Sequence, residues 1–310
     1  MSLFATTNYM RRVKDYSLSL PYTYNSRECL WRQQLSSSFK VFICQMMVTK
    51  NKLENIEKAV DAIKLAASIG SNLVVLPEFF NSPYGTKYFQ EYSEEISEKG
   101  YTCQSISKAA KSNNIYVVAG SIPEKSGEKY YNTCVIFNNY GNIVDKYRKI
   151  NLFKIDLPAI KFDESDIISK GDKLVTFDVP ILDRTVKIGL LICFDIRFPE
   201  LAQSYREMDV DVLVCPAAFS MVTGPIHWQL LGRTRAVDSQ MFTVLVSPAR
   251  DTKAEYVTYG HSLVSDPMGT VVHEFGDEEA CQMVTLDLDL VSKTRRQIPV
   301  GRLPNVESLM

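Results

Sequence analysis

From residue 39 onward the chain alternates short apolar runs with amphipathic stretches. FKVFICQM (39–46) is almost wholly apolar, the pattern of a strand covered on both faces. In NKLENIEKAVDAIKLAASIG, Leu53, Ile56, Val60, Ile63 and Ala67 fall on one helical stripe, and Gly70 supplies a C-cap. NLVVLPEFF predicts a strand stopped by Pro77, and a helix over about 101–112 leads into NIYVVAGSIPE. YYNTCVIFNNYGNIVDKYRK reads as a hairpin turning at Asn139, Tyr140 and Gly141. TVKIGLLICFD, DVLVCPAAF, MFTVLVSPA, GHSLVSDPMGTVVHEF and QMVTLDLDL supply further strands, and HWQLLGRTRAVDSQ is helical. No repeat or low-complexity linker divides 39–290, so the pattern predicts one layered α/β domain with mixed sheets.

Residues 1–38 have no such period. They are rich in Ser, Thr and Tyr and carry five basic residues (Arg11, Arg12, Lys14, Arg27, Arg32) against Asp15 and Glu28. This leans toward a mitochondrial targeting segment, although Lys14-Asp15 and Pro21 interrupt any amphipathic helix. The plainer expectation is a disordered extension, or one that packs on a partner subunit. Two segments are therefore expected, an extension at 1–38 and a domain at 39–310.

Composition narrows the function classes. Lys plus Arg number 35 and Asp plus Glu 36, a formal charge of -1, so no basic excess points to nucleic acid or an anionic membrane. No apolar run approaches the roughly 20 residues that span a bilayer. Seven cysteines, an odd count without CxxC spacing, suggest neither a disulfide framework nor a zinc site. A soluble protein of a reducing, cytoplasmic compartment is expected.

Three apolar runs end on reactive side chains: VVLPEFF on Glu78, VDKYRKINLF on Lys149 and LLICFD on Cys193. Sites in layered α/β folds are built where strand ends meet loops. Each residue has an ordinary reading. A cysteine after an apolar run is most often a core residue, a Glu after Leu-Pro is usually a turn residue, and KYRK is usually a solvated basic face. Together they make a reaction set. A thiol ionises near pH 8.5 and needs a base or a nearby cation. Glu78 could take its proton, and the Lys149 ammonium could stabilise both a thiolate and the oxyanion of an attacked carbonyl. The N–H of Phe194 is a second candidate donor. The chemistry is acyl transfer through a thioester. With only His227, His261 and His273 in the chain, a carboxylate base suits it better than a Cys-His pair, for which His261 is the candidate. His227, in GPIHWQLL, reads as a helix cap or a core-edge residue.

LPEFFNSPYG, KYRKINLF and ICFDIRFPELAQ, in this order, resemble the nitrilase superfamily of carbon–nitrogen hydrolases over about residues 39–303. NSPYGTKYFQEYSE, TGPIHWQLLGRTRAVDSQ, SPARD and YGHSLVSDPMG resemble its omega-amidase branch most closely. The resemblance implies a four-layer α-β-β-α sandwich with two mixed sheets, pairing into homodimers and using no metal or organic cofactor. It implies a Glu-Lys-Cys triad at Glu78, Lys149 and Cys193, and a second carboxylate, Glu164, that positions lysine and substrate. It also implies hydrolysis of short dicarboxylic monoamides such as 2-oxoglutaramate and 2-oxosuccinamate. Such substrates carry a carboxylate far from the amide, and Arg197 has the fork to bind it; the spacing alone equally allows Arg197 to pair with Asp195 or Glu200. Tyr84, Phe219 and Thr223 match pocket-lining positions.

The sequence departs from relatives at Asn151-Leu152-Phe153-Lys154, where HLFD is usual, and at Phe194, often Tyr. The first change loses an imidazole and reverses a charge near Lys149, which puts rate and pH profile in question. Two other readings stay open: a sister amidase acting on deaminated glutathione or an N-carbamoyl amino acid, and a non-catalytic binding member.

Overall fold

The computed structural model describes residues 38–300, apart from Glu98, Ala159 and Asp183. The expected extension at 1–38 lies outside these residues except for Ser38. All described residues belong to one compact unit.

The first strand shows why so apolar a run forms here. In β1 (Ser38–Gln45), Phe39, Val41 and Ile43 join the core between two sheets, while Phe42 and Cys44 join a second core beneath helices. Period-two alternation with both faces covered leaves no polar side. The helix α1 (Lys52–Ser68) lies on that outer face, its first turn closed by Asn51 accepting from Glu54 N–H at 3.2 Å. Its buried stripe is Ile56, Ala59, Ile63 and Ala66. The stripe expected from the sequence is rotated: Leu53 is 55% exposed, and Val60 and Ala67 are only partly buried. Small alanines let the helix sit close to the sheet, so they take the inward positions. Gly70, at φ 79°, follows the helix end as expected.

Sheet one runs β15-β1-β2-β3-β5-β4, with β6 also pairing β5. Its members are β2 (Leu73–Val75), β3 (Tyr116–Val118), β4 (Ile122–Ser126), β5 (Lys129–Phe137), β6 (Ile143–Arg148) and β15 (Ala280–Asp287). The helices α2 (Thr86–Tyr92) and α3 (Tyr101–Ser112) follow β2, and α3 packs on the sheet beside α1. A short hairpin, β7 (Lys154–Leu157) with β8 (Ile160–Asp163), stands apart from both sheets.

Sheet two runs β14-β13-β12-β11-β10-β9. It consists of β9 (Thr176–Ile181), β10 (Arg184–Leu190), β11 (Val212–Pro216), β12 (Phe242–Val246), β13 (Leu263–Ser265) and β14 (Val271–Glu274). The helices α4 (Pro199–Glu207) and α5 (Gly224–Ser239) pack on each other, and α5 lies on β12 and β13. The chain closes with β15 and α6 (Asp289–Gln297). Both sheets mix parallel and antiparallel neighbours, since β1-β2-β3 and β10-β11-β12 are parallel and the flanking pairs are not. The layers are therefore helix, sheet, sheet, helix, the sandwich expected from the sequence. Directly paired across β1 and β15, buried Cys44 and exposed Cys281 bring their sulfurs to 3.2 Å.

Candidate active site

Glu78 and Lys149 come from sheet one and Cys193 from sheet two, so the three strand ends meet across the sandwich rather than side by side in one sheet. Each is fixed by its backbone. After β2 the chain turns through Leu76-Pro77-Glu78. Phe79, at φ 50°, donates its N–H to Ser121 Oγ at 3.0 Å. Gly120 makes this turn possible, because a Cβ there would lie 2.0 Å from the Pro77 carbonyl oxygen. Lys149 donates its N–H to Asn132 O at 2.9 Å and accepts from Gly171 N–H at 2.8 Å. Cys193 opens a short helical segment, Cys193–Arg197, with φ 48°. A non-glycine residue held at positive φ is strained, and the same sharp strand-to-helix turn presents the nucleophile in other hydrolases. The Asp195 carboxylate pins it, accepting from Tyr147 OH at 2.8 Å, Asn151 N–H at 2.7 Å, the Asn151 amide at 3.1 Å and Ile192 N–H at 3.2 Å.

The side chains converge out of water. Lys149 Nζ donates to Glu78 Oε1 at 3.1 Å and lies 3.0 and 2.9 Å from the two oxygens of Glu164, all three side chains being fully buried. Glu164 also accepts from Tyr84 OH at 3.0 Å and Phe153 N–H at 2.7 Å. Glu78 accepts from the Asn132 amide at 2.8 Å and from Ala218 N–H at 2.8 Å, and stands close enough to the Cys193 thiol for each to shift the other's pKa. The expected quartet of Glu78, Lys149, Glu164 and Cys193 is thus one connected cluster.

Charge balance sets the protonation. Burial pushes the Glu78 carboxyl above its ordinary value; Lys149 opposes this and Glu164 reinforces it. Burial would lower the Lys149 ammonium, but Glu164 and Glu78 outweigh it and hold the group well above the ordinary lysine range. Burial and Glu78 drive the Cys193 thiol well above its usual value, against Lys149 and the Ala218 backbone. Of the two routes open from sequence, these surroundings favour the neutral thiol over a preformed thiolate. The Lys149 cation is already shared by two carboxylates, which weakens its hold on a thiolate.

Arg197 pairs with neither Asp195 nor Glu200, and it forms no ion pair among the described residues. Its NH1 lies 3.2 Å from His227 Nδ1, and its guanidinium sits 4.9 Å from the Phe219 ring and 5.6 Å from the Phe194 ring. Burial presses it below the ordinary arginine value, opposed by Cys193 and Tyr256. Phe219 is buried edge-on against Trp228 at 5.2 Å, and Phe194 packs on Phe153 at 5.5 Å. Thr223 is buried at the start of α5, where its carbonyl accepts from His227 N–H at 2.9 Å. That carbonyl is its link to the Arg197 side of the site. His261 stacks on Tyr259 and faces Glu274 at 3.9 Å, away from the thiol cluster.

Sequence reasoning missed Asn132, the Ala218 N–H and Tyr256. Tyr256 stacks on Tyr84 at 4.3 Å and donates to Ala218 O at 2.8 Å. Its phenol is raised by burial and by Cys193. A cavity of ≈ 340 Å³ opens onto Glu78, walled by Phe79, Tyr84 and Tyr256, with exposed Lys50 and Lys253 also lining it; Cys193 and Arg197 do not line it. The two departures from relatives also find places. The Asn151 amide bonds Asp195, a contact an imidazole donor could make. Lys154 pairs with Asp163 at 2.8 Å, its side chain 73% exposed.

A thiol, a carboxylate base and an ammonium held together in a dry interior are the equipment of an acyl-transfer hydrolase. The model of the carbon-nitrogen hydrolase family matches residues 40–296, and the chain belongs to that family. It is 47% identical over 267 residues to the Homo sapiens protein "Omega-amidase NIT2", covering 86% of this chain and 95% of that one. It is 46% identical to the Danio rerio protein of the same name, covering 86% and 94%. Among solved structures it is similar to Saccharomyces cerevisiae Nit3, a member of branch 10 of the nitrilase superfamily. That match has a TM-score of 0.78 and 37% identity, over 86% of this chain and 97% of that chain.

Proposed function

We propose that the protein is an omega-amidase that hydrolyses the terminal amide of 2-oxo dicarboxylic monoamides to the 2-oxo acid and ammonia. The observation that carries the substrate class is Arg197, a half-buried guanidinium near the thiol that forms no ion pair among the described residues. An anion is what such a cation lacks. The far carboxylate of a 2-oxo monoamide supplies one at the end opposite the scissile bond.

In the reaction, Cys193 Sγ attacks the amide carbon as its proton passes to Glu78, whose raised pKa brings it nearer the working pH. The oxygen that becomes negative accepts from Lys149 Nζ and from Phe194 N–H, the second residue of the turn and one ahead of Asp195, whose N–H closes it on Ile192 O at 3.1 Å. Glu78 returns the proton to the departing nitrogen, and ammonia leaves. Water, deprotonated by Glu78, then attacks the thioester and releases the acid and the thiol. Glu164 and Tyr84 hold Lys149 in place. Phe194 and Phe219 flank the Arg197 guanidinium that takes the carboxylate, and Thr223 supports that side through His227.

Purified protein should release ammonia from 2-oxoglutaramate, and the Cys193→Ala variant should release none. Hydrolysis of deaminated glutathione or an N-carbamoyl amino acid in preference to 2-oxoglutaramate would overturn the substrate assignment and leave the triad standing.

The protein acts as a homodimer in this reading. The α5 face bearing Ile226 (64% exposed), Leu230 (60%) and Val237 (45%), with Met268 (51%) beside it, supports a second copy docking there. Light scattering on wild type and Leu230→Glu tests this. No described helix is long and apolar enough to cross a membrane, and the cytoplasmic assignment rests on the reduced cysteines.

A further inference from the structure

We propose that His227 is a positioning residue that aims the Arg197 guanidinium at the substrate carboxylate without neutralising it, and so sets the preference for amides that carry a distal carboxylate. This rests on the omega-amidase reading of Arg197.

The guanidinium is fixed from two sides. Its own backbone is clamped by Arg235, which donates from Nε to Ile196 O at 2.8 Å and from NH2 to Arg197 O at 3.2 Å. Its tip meets His227 Nδ1 at 3.2 Å. A guanidinium has donors only, so Nδ1 must be the acceptor and the ring is the neutral Nε2–H tautomer. Burial and the neighbouring Arg197 both lower the imidazole pKa, which favours that neutral form. His227 stands in the first turn of α5, its N–H bonded to Thr223 O, so a rigid element holds the ring.

The choice of partner matters. An Asp or Glu here would orient the arginine equally well, but it would form an internal ion pair and cancel the charge that the ligand needs. A neutral acceptor occupies one N–H and leaves the remaining donors and the full positive charge for the ligand. The Phe219 ring near the guanidinium restricts it further, without adding an anion.

The test compares kcat/KM for 2-oxoglutaramate with that for butyramide, an amide of similar length without a carboxylate. In His227→Ala the ratio should fall about tenfold through KM for the oxo acid amide, the scale of one lost hydrogen bond to a charged group. His227→Asn, whose Oδ1 takes the place of Nδ1, should restore the ratio to within about threefold of wild type, since one acceptor is returned. His227→Glu should lower it furthest, because the new carboxylate competes for Arg197. Equal losses on both substrates in the Ala and Asn variants, or an unchanged ratio in the Ala and Glu variants, would overturn the proposal. Arg197→Gln separates the two levels: if it leaves the ratio unchanged, the reading of Arg197 itself fails. If it collapses the ratio while the histidine variants do not, only the role of His227 fails.

Discussion

Glu78 and Glu124 are both buried acids of sheet one, yet their surroundings drive them in opposite directions. Glu124, on β4, accepts from Arg148 at 2.7 and 2.8 Å, from Lys146 and from Thr133 at 2.6 Å. Burial would raise its carboxyl, but Arg148, Lys146 and Thr133 outweigh that and hold it below the ordinary value. Glu78 shares one ammonium with a second carboxylate and lies above it. Two cations for one acid make an anchor; one cation for two acids leaves a carboxylate with appetite for a proton. The four residues Lys146-Tyr147-Arg148-Lys149 serve both clusters by strand alternation. Lys146 and Arg148 face Glu124, whereas Tyr147 reaches Asp195 and Lys149 reaches Glu78 and Glu164.

The sharpest way to break this contrast is to remove each acid. Glu78→Gln should lower kcat by about 10³-fold, the scale of a lost general base, measured as ammonia release. Glu124→Gln should leave kcat within about twofold and instead cost about 1–3 kcal/mol in urea unfolding, discounted because its basic partners are partly exposed. The pH dependence should separate the two as well. The acid limb of kcat/KM should lie above the ordinary glutamate value of 4.5, since Glu78 must be ionised and its pKa is raised. Glu124 has a depressed folded pKa, so its stabilisation should be complete above 4.5 and vanish as pH falls through that lower value. The urea stability gap between wild type and Glu124→Gln should therefore be flat near neutrality and narrow in acid. Tyr84→Phe, which removes one of the hydrogen bonds to Glu164, should reduce kcat up to about tenfold. Lys154→Ala, at an exposed pair, should change kcat/KM by less than about twofold.

The same alternation marks how far the sequence could be read. Apolar runs located the strands that deliver Glu78 and Cys193, because a run covered on both faces leaves a strong signal. By contrast β6, which delivers Lys149, is half exposed and was placed by its hairpin turn. KYRK fits its ordinary reading, a solvated basic face, at Lys146 and Arg148, and the strand-end reading at Lys149. Its period of two could have assigned Tyr147 and Lys149 to the interior. Glu164 came from family resemblance, since a loop acid in KFDES has no local mark of burial. The Ala218 N–H could not have been found, because any residue supplies an N–H and only the fold aims it. His227 contacts Arg197 across a separation of 30 residues, between two elements that meet only when α5 packs beside the Cys193 turn. The hairpin of β7 and β8 and the short helices α4 and α6 were not foreseen, being too brief for a periodic pattern to stand out.

The burial of Cys193 has a further consequence. Peroxides and other oxidants attack the anionic form of an accessible cysteine, so an enzyme whose sulfur is held out of water in surroundings that disfavour its anion should age slowly in aerobic solution. Its working life would be set by how often it turns over rather than by how long it waits.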